Sequence, residues 1–369
     1  MIREEINEIK KQFNKDTNVI TKYAGCYVDA EKNIKFMTKD AFYSLPEEDA
    51  FKYEEIFRKT LSGAVGKSLL TLDFSIDEEG ADTPHAFLMK LRESRLDDEL
   101  ILDEFFRKVI DAYEYAENYY IILVDMMYDI PGKSSDKLAM EDASNEVYHG
   151  LLCSICPVTL SKPALSYFAN EGVIANRIRD WIVGMPMHGF LFPAFTDRTT
   201  DIHAALYFSK KNDALNESFI NEIIGVNPPM SSVMQKETFE AVLYDVLRDE
   251  LTMPVMSALS SNMLDLIAEN SQNPEPLVLT KNDMVKLISK SGVSDEAVES
   301  YEKSADADIE VLADNVVDTK KFEVKTPGIT VKTDTDSIEK LETRVIDGRK
   351  YLLVPIEDDV EINGMPVKA

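Results

Sequence analysis

The sequence predicts an α+β protein: an N-terminal mixed or antiparallel sheet with helices, a central helical segment and a small C-terminal β module. Three observations carry that expectation. Short apolar blocks of strand length recur between Val19 and Ser209, the apolar period turns helical from Asn216 to Tyr301, and turn-flanked strand-like runs return after Lys320. The corresponding division is residues 1–209, 210–313 and 314–369.

Ile2, Ile6, Ile9 and Phe13 stand at helical spacing, so the chain opens on an amphipathic helix. The stretch "NVITKYAGCYVDAEKNIKFMTK" reads as two strands around a turn at Ala30–Asn33. Ser44 and Pro46, followed by acids, predict a helix start with Ser44 as its cap, and the helix runs to about Leu61. "TLSGAVGKSLL" then spells Gly-Lys-Ser, part of a phosphate-binding loop. Such a loop runs from strand to helix, so that the helix N-terminus faces the phosphates. Here a helix precedes and the strand "LLTLDFSI" follows, and Leu61 occupies the position where the motif needs its first glycine. The stretch is a helix end and a turn.

Pro84 to Tyr115 reads as mostly helical, with Leu102, Phe106, Val109 and Tyr113 on one stripe. "YYIILV" (119–124) is a continuous apolar run, which marks a strand covered on both faces. "YDIPGKSSDKLAMEDASNE" is a long polar loop, expected to be the most mobile element of the first half. "VYHGLLCSICPVTL", "ALSYF", "GFLFPAF" and "DIHAALYFS" read as further strands. In the helical segment, Phe239, Val242, Leu243 and Val246 form one stripe and Met256, Leu259, Met263 and Leu266 another. Thr280 and Asn282 begin a helix that "KSGVSDEAVESYEK" extends as a helix–turn–helix. Between Ser294 and Asp314 eight acids stand against Lys303 alone, which reads as a solvated face or a linker. The tail contains "KFEVKTPGITVKT", an Asp-Gly hairpin signal in "TRVIDGRKYLLVPI", and "DVEING".

The 369 residues carry a formal charge of −27, which disfavours non-specific contact with nucleic acid or an anionic membrane over most of the surface. No stretch approaches the ~20 apolar residues of a membrane helix. The start, "MIREEINEIKKQF", holds three acids and no apolar signal core, and three cysteines make no disulfide framework. A cytoplasmic location is the resulting expectation.

Two constellations bear on chemistry. Cys153 and Cys156 have redox or metal spacing, but in a strand an offset of three puts the sulfurs on opposite faces, so both are expected to be buried structural residues. In "FTDRTTDIHAALYFSKK", strand alternation places Asp201 and His203 about 7 Å apart on one face, with Asp197 and Arg198 just upstream. An acid orienting a histidine begins a general-base or metal arrangement. A metal-assisted hydrolase using Asp197, Asp201 and His203 is therefore one reading. A structural histidine held by Asp201 or a backbone group is the other, and the preferred one. No cofactor fingerprint or second pair of metal ligands accompanies either constellation.

"TKYAGCYVD", "FRKTLSGAVGKSLL", "ENYYIILV", "YDIPGKSSD", "LLCSICPV", "GFLFPAFTDRTTDIHAALYFSKK" and "PEPLVLTKNDM" resemble a bacterial family catalogued as domain of unknown function forty-three seventeen. The resemblance spans nearly the whole chain and implies a bacterial cytoplasmic protein, with no activity attached. A weaker likeness links "ALYFSKKNDALNESFINEIIGVNPPMSSVMQKETFEAVL", "PGITVKT", "RKYLLVP" and "EINGMP" to a bacterial nucleoid-associated family. It implies a non-enzymatic binding protein that meets a protein partner, or DNA through a local basic patch. The paired lysines Lys210 and Lys211, and Lys320 and Lys321, are the candidates for that patch.

Overall fold

The computed structural model describes residues 1–17, 19–133, 139–140, 146–213, 215–356, 360–362 and 365–367. Met1–Ser231 and Ser232–Ala369 form two compact units. The first unit begins with α1 (Arg3–Lys11), whose Ile6 and Ile9, with Phe13 beyond its end, are buried as the helical period requires. β1 (Ile20–Val28) and β2 (Ile34–Ala41) form the expected hairpin, turning through Lys32 at φ 63°. α2 (Glu47–Thr60) follows, but Ser44 does not cap it: its hydroxyl donates to the Ala41 carbonyl at 2.7 Å, closing the preceding turn. The Gly-Lys-Ser turn lies between α2 and β3 (Leu69–Asp73), in the order that excludes a phosphate loop, and Gly66 takes its left-handed position at φ 79°.

The helical stretch from Pro84 is two helices, α3 (Pro84–Glu93) and α4 (Glu99–Ala112). Arg95 and Leu96 break the run with positive φ, and Asp98 caps α4 through the Leu100 and Ile101 amides. β4 (Tyr119–Ile130) carries the apolar run, and a short pair, β5 (Gly132–Lys133) and β6 (Ala139–Met140), follows. β7 (Glu146–Leu160) then returns along β4. The ends of the expected polar loop are therefore strand, and residues 134–138 and 141–145 of it lie outside the described residues. β8 (Leu165–Phe168), β9 (Val173–Asn176) and β10 (Trp181–Val183) lead to β11 (His188–Phe192). "GFLFPAF" is split: β12 (Ala194–Thr196) starts after Pro193, which has no N–H for the ladder. β13 (Thr199–Asp201) pairs with β12. β14 (Ala204–Ser209) starts after a tight turn, so "DIHAALYFS" is likewise two strands.

The main sheet runs β2-β1-β4-β7-β11-β14-β3 with antiparallel neighbours throughout, and β10 pairs with the far end of β7. Helices cover both faces. Leu88, Phe105, Phe106 and Val109 of α3 and α4 pack on one face, joined by Phe219 of α5 (Glu217–Phe219) and by Ile220, Ile223 and Ile224 in the wider turn that continues it. Ile6 and Ile9 of α1 and Ile56 and Phe57 of α2 pack on the other. Burial on both faces is why the central strands read as unbroken apolar runs. Gly189 in β11 is fixed by a close approach: a Cβ there would meet the Cys153 carbonyl oxygen at 2.3 Å.

The second unit packs α6 (Ser232–Leu247), α7 (Met253–Glu269), α8 (Lys281–Ser289) and α9 (Asp295–Lys303) around Phe239, Leu243, Leu259, Met263 and Leu287. The helix starts at Thr280 as expected, and the start is closed reciprocally: Thr280 accepts the Asp283 N–H, and the Asp283 carboxylate accepts the Thr280 N–H. The acidic run is no linker. Its eight acids are exposed, while Ala297, Tyr301, Ala307, Val311 and Ala313 turn inward, joined by β15 (Val278–Leu279), β16 (Val311–Leu312) and α10 (Ala313–Val316). Three hairpins complete the unit: β17 (Lys321–Thr326) with β18 (Ile329–Asp334), β19 (Glu342–Ile346) with β20 (Arg349–Leu353), and β21 (Val360–Ile362) with β22 (Met365–Val367). The Asp-Gly signal is confirmed by positive φ at Asp347 and Gly348. The α+β class stands, with the sheet antiparallel. Among the described residues no helix is long and apolar enough to cross a membrane.

Candidate functional site

The four residues singled out around His203 do not form one cluster. Asp197 and Arg198 occupy the two-residue turn between β12 and β13, at φ 52° and 58°. This turn is latched to α1: the Asp197 N–H donates to Glu5 Oε1 at 2.7 Å, and Arg198 forks onto Glu8 with Nε–Oε2 3.0 Å and Nη2–Oε1 2.8 Å. Tyr128 donates to the same Glu8, and Arg198 also donates to the Pro131 carbonyl. Asp201 and His203 do not share a strand face, because Ile202 and His203 form the turn before β14. The Asp201 carboxylate accepts the His203 backbone N–H at 3.1 Å, the local bond by which aspartate favours turns over strands. The exposed imidazole instead reaches Glu79, Nδ1 to Oε1 2.6 Å, and this carboxylate raises its pKa above the ordinary histidine value. Among the described residues no group of three or more His, Cys, Asp or Glu is disposed to hold a metal ion.

The cysteines are placed as alternation demands. Cys153 and Cys26 belong to the core on one face of the sheet and Cys156 to the core on the other. Burial pushes all three thiols up, Cys26 to about 12. Lys210 and Lys211 are exposed after β14. Lys320 and Lys321 are exposed too, and their backbone N–H groups both donate to Asp318. Lys321 borders a cleft of about 810 Å³ shared with Lys236, Lys325 and Lys332, but Glu240, Asp245, Asp318 and Glu323 line it as well.

Two arrangements escaped the sequence reading. The first is a buried polar pair inside the sheet. Asp125 of β4 is fully buried; its Oδ1 meets His149 Nε2 of β7 at 2.6 Å, and its Oδ2 accepts from the Thr21 hydroxyl. Arg92 of α3 donates to the His149 carbonyl at 2.7 Å. The signal was an aspartate ending the apolar run "YYIILVD", since a carboxyl so placed must find donors.

The second is a surface. From Lys162 to Met185 no side chain is buried, although Ser161 and Pro186 on either side are. The backbone of this stretch is nonetheless ordered as a two-stranded ribbon. β10 pairs with the end of β7, Asp180 and Ser161 bridge next, the Arg177 N–H donates to the Ala164 carbonyl at 2.8 Å, and β8 pairs with β9. Nine residues from Leu160 to Phe168 give a ribbon roughly 30 Å long. Tyr167 lies opposite Ile174 on one face, with Leu165 two residues away, and Ile178, Trp181 and Ile182 continue the apolar exposure. Leu165, Ile178 and Ile174 are 74%, 73% and 69% exposed. A two-stranded ribbon has no core of its own, and monomers rarely leave so much contiguous apolar surface in water.

No curated protein matches the chain. The family described as Domain of unknown function (DUF4317) matches residues 1–365, both compact units together, and the chain therefore belongs to that family.

Proposed function

We propose that the chain is a non-enzymatic interaction protein whose contact surface is the ribbon of residues 162–185, and that the surface it meets is the same ribbon of a second copy. The observation that carries this reading is the uncovered apolar face of Leu165, Tyr167 and Ile174 on an ordered backbone. Charge favours a second copy. Lys162, Arg177 and Arg179 against Glu171 and Asp180 give this stretch +1 in a chain of −27, so the ribbons themselves add no acidic repulsion where two copies meet. An isologous contact also places the same apolar face against itself.

The paired lysines support DNA contact less well. Lys325 and Lys332 both pair with Glu323, and carboxylates alternate with lysines around the cleft that Lys321 borders, so no continuous positive face offers itself to a polyanion. The hydrolase reading would need Asp197, Asp201 and His203 around one ion, whereas the Asp201 carboxylate holds the His203 backbone N–H, the imidazole turns to Glu79, and Asp197 stands in the turn latched to Glu5.

Sedimentation equilibrium of the full chain tests the proposal. Wild type should sediment as a dimer at micromolar concentration. Tyr167→Asp/Ile174→Asp, which places two carboxylates in the contact, should weaken association by about a hundredfold or more without changing the fold. A wild type that stays at the 41.7 kDa of a monomer up to about 100 µM would refute it.

A further inference from the structure

A second concave site lies in the first unit, between the end of α1 and the start of α2. It has a volume of about 650 Å³, within the range of small-molecule sites. Gln12, Asn14 and Thr17 form one wall. The floor is aromatic: Phe42 is buried and packs against Tyr23, Tyr53 and Phe57, while Tyr43 and Phe51 stand half-open at the mouth. The cleft also holds a carboxyl that is out of place in such company. Glu54 is 5% exposed and lines the cleft, and its cationic partner among the described residues is Arg58, whose Nη1 lies 3.5 Å from Oε2. Arg58 is divided among several partners: the same Nη1 donates to the Phe13 carbonyl, and the guanidinium lies 5.6 Å from the centre of the Phe51 ring.

We propose that this cleft binds a small organic ammonium ion with an aromatic or alkyl body. The reasoning is chemical. A buried carboxyl whose arginine stands 3.5 Å away and is shared with other partners can accept an ammonium donor, and the body of the ligand replaces water against Phe42 and Phe51. Electron-rich ring faces attract cations, and Phe51 already draws two, Lys52 at 5.3 Å and Arg58. Burial raises the Glu54 pKa against the opposing pull of Arg58, and the neighbouring Tyr43 phenol is raised by burial and by Glu54. An incoming cation would relieve both. At the rim, Glu47 and Glu48 stand in the first turn of the helix and offset the positive end of its dipole. With Lys15 and Lys52 included, the charged lining sums to −1, and the net −27 of the chain favours the approach of cations over anions. This inference is independent of the ribbon and can fail or stand without it.

Calorimetry on the full chain with three probes of one shape tests it: 2-phenylethylamine, the neutral 2-phenylethanol and the anionic 3-phenylpropionate. The amine should bind at least about tenfold more tightly than the alcohol, and the acid least of all. Glu54→Gln should remove that preference. Should Glu54→Gln fold poorly, Ala50→Phe, which puts a ring into the cleft one helical turn before the carboxyl, should abolish binding of the amine, and Phe51→Ala should weaken it several-fold. Equal affinity for amine and alcohol, an amine signal unchanged in Ala50→Phe, or no binding of any probe at about 10 mM would each overturn the assignment.

Discussion

His149→Ala should be among the most damaging single truncations in the sheet, although His149 itself is not fully buried. Its imidazole is a principal donor to Asp125, a side chain with no exposure at all, and the other carboxyl oxygen is held by Thr21. Removing one member of a buried pair costs about 3–5 kcal/mol when the survivor stays dry. Here the His149 side chain is 14% exposed, so its loss opens a narrow route for water, and the Thr21 hydroxyl remains. The expected cost is therefore about 2–4 kcal/mol. Asp125→Asn keeps the shape and an acceptor, and should cost about 1–2 kcal/mol. Combined, the two should fall short of their sum by about 1–2 kcal/mol, because each removes the same contact. Urea unfolding of the full chain, followed by the near-ultraviolet dichroism of the packed tyrosines, measures all four corners of the cycle. A His149→Ala midpoint indistinguishable from wild type, or strict additivity in the double variant, would show that Asp125 is solvated and refute the reasoning.

Arg198→Ala should release the turn from α1 and cost about 1–2 kcal/mol, the pair being only partly shielded, and limited proteolysis should then cleave near Phe13 sooner than in wild type. Cys153 and Cys156 should resist iodoacetamide in the native protein and react only on unfolding, since burial raises both thiols; native labelling faster than global unfolding would contradict this. The raised pKa of His203 means that its pair with Glu79 stabilises the fold fully below the ordinary imidazole value of 6.5, and that this contribution is lost as pH rises through the raised value. An NMR titration should place the His203 midpoint above 6.5 in wild type and return it toward 6.5 in Glu79→Gln.

The parts of the fold legible in the sequence are those fixed by local period. The run "YYIILV" could only be a strand covered on both faces, and the offset of Cys153 and Cys156 could only divide their sulfurs between two cores. The alternation of "DIHAALYFS" misled because a turn can interrupt it without changing the pattern: the Asp201 carboxylate bends the chain at His203, and the ring then meets Glu79, 124 positions away. The acidic run reads as a solvated face or a linker, and it is the solvated face: its acids are exposed while Tyr301 and Val311 tie it into the core. The aspartate ending "YYIILVD" signals that Asp125 needs donors, but which donor it finds is not legible, since register between strands decides that it meets His149. The ribbon was hidden for a further reason. Its residues mix apolar and polar positions with no unbroken run like "YYIILV", so only "ALSYF" reads as a strand and its pattern does not say which face stays open.

The chain has a single tryptophan, and it is Trp181, on the exposed ribbon rather than in either core. Its emission is therefore a gauge of what the ribbon touches and not of whether the sheet is intact. Heating or urea could dissolve the cores around Phe105 or Phe239 with little change in colour, whereas a contact that dries the indole should shift the emission to the blue while every other element stays as it was.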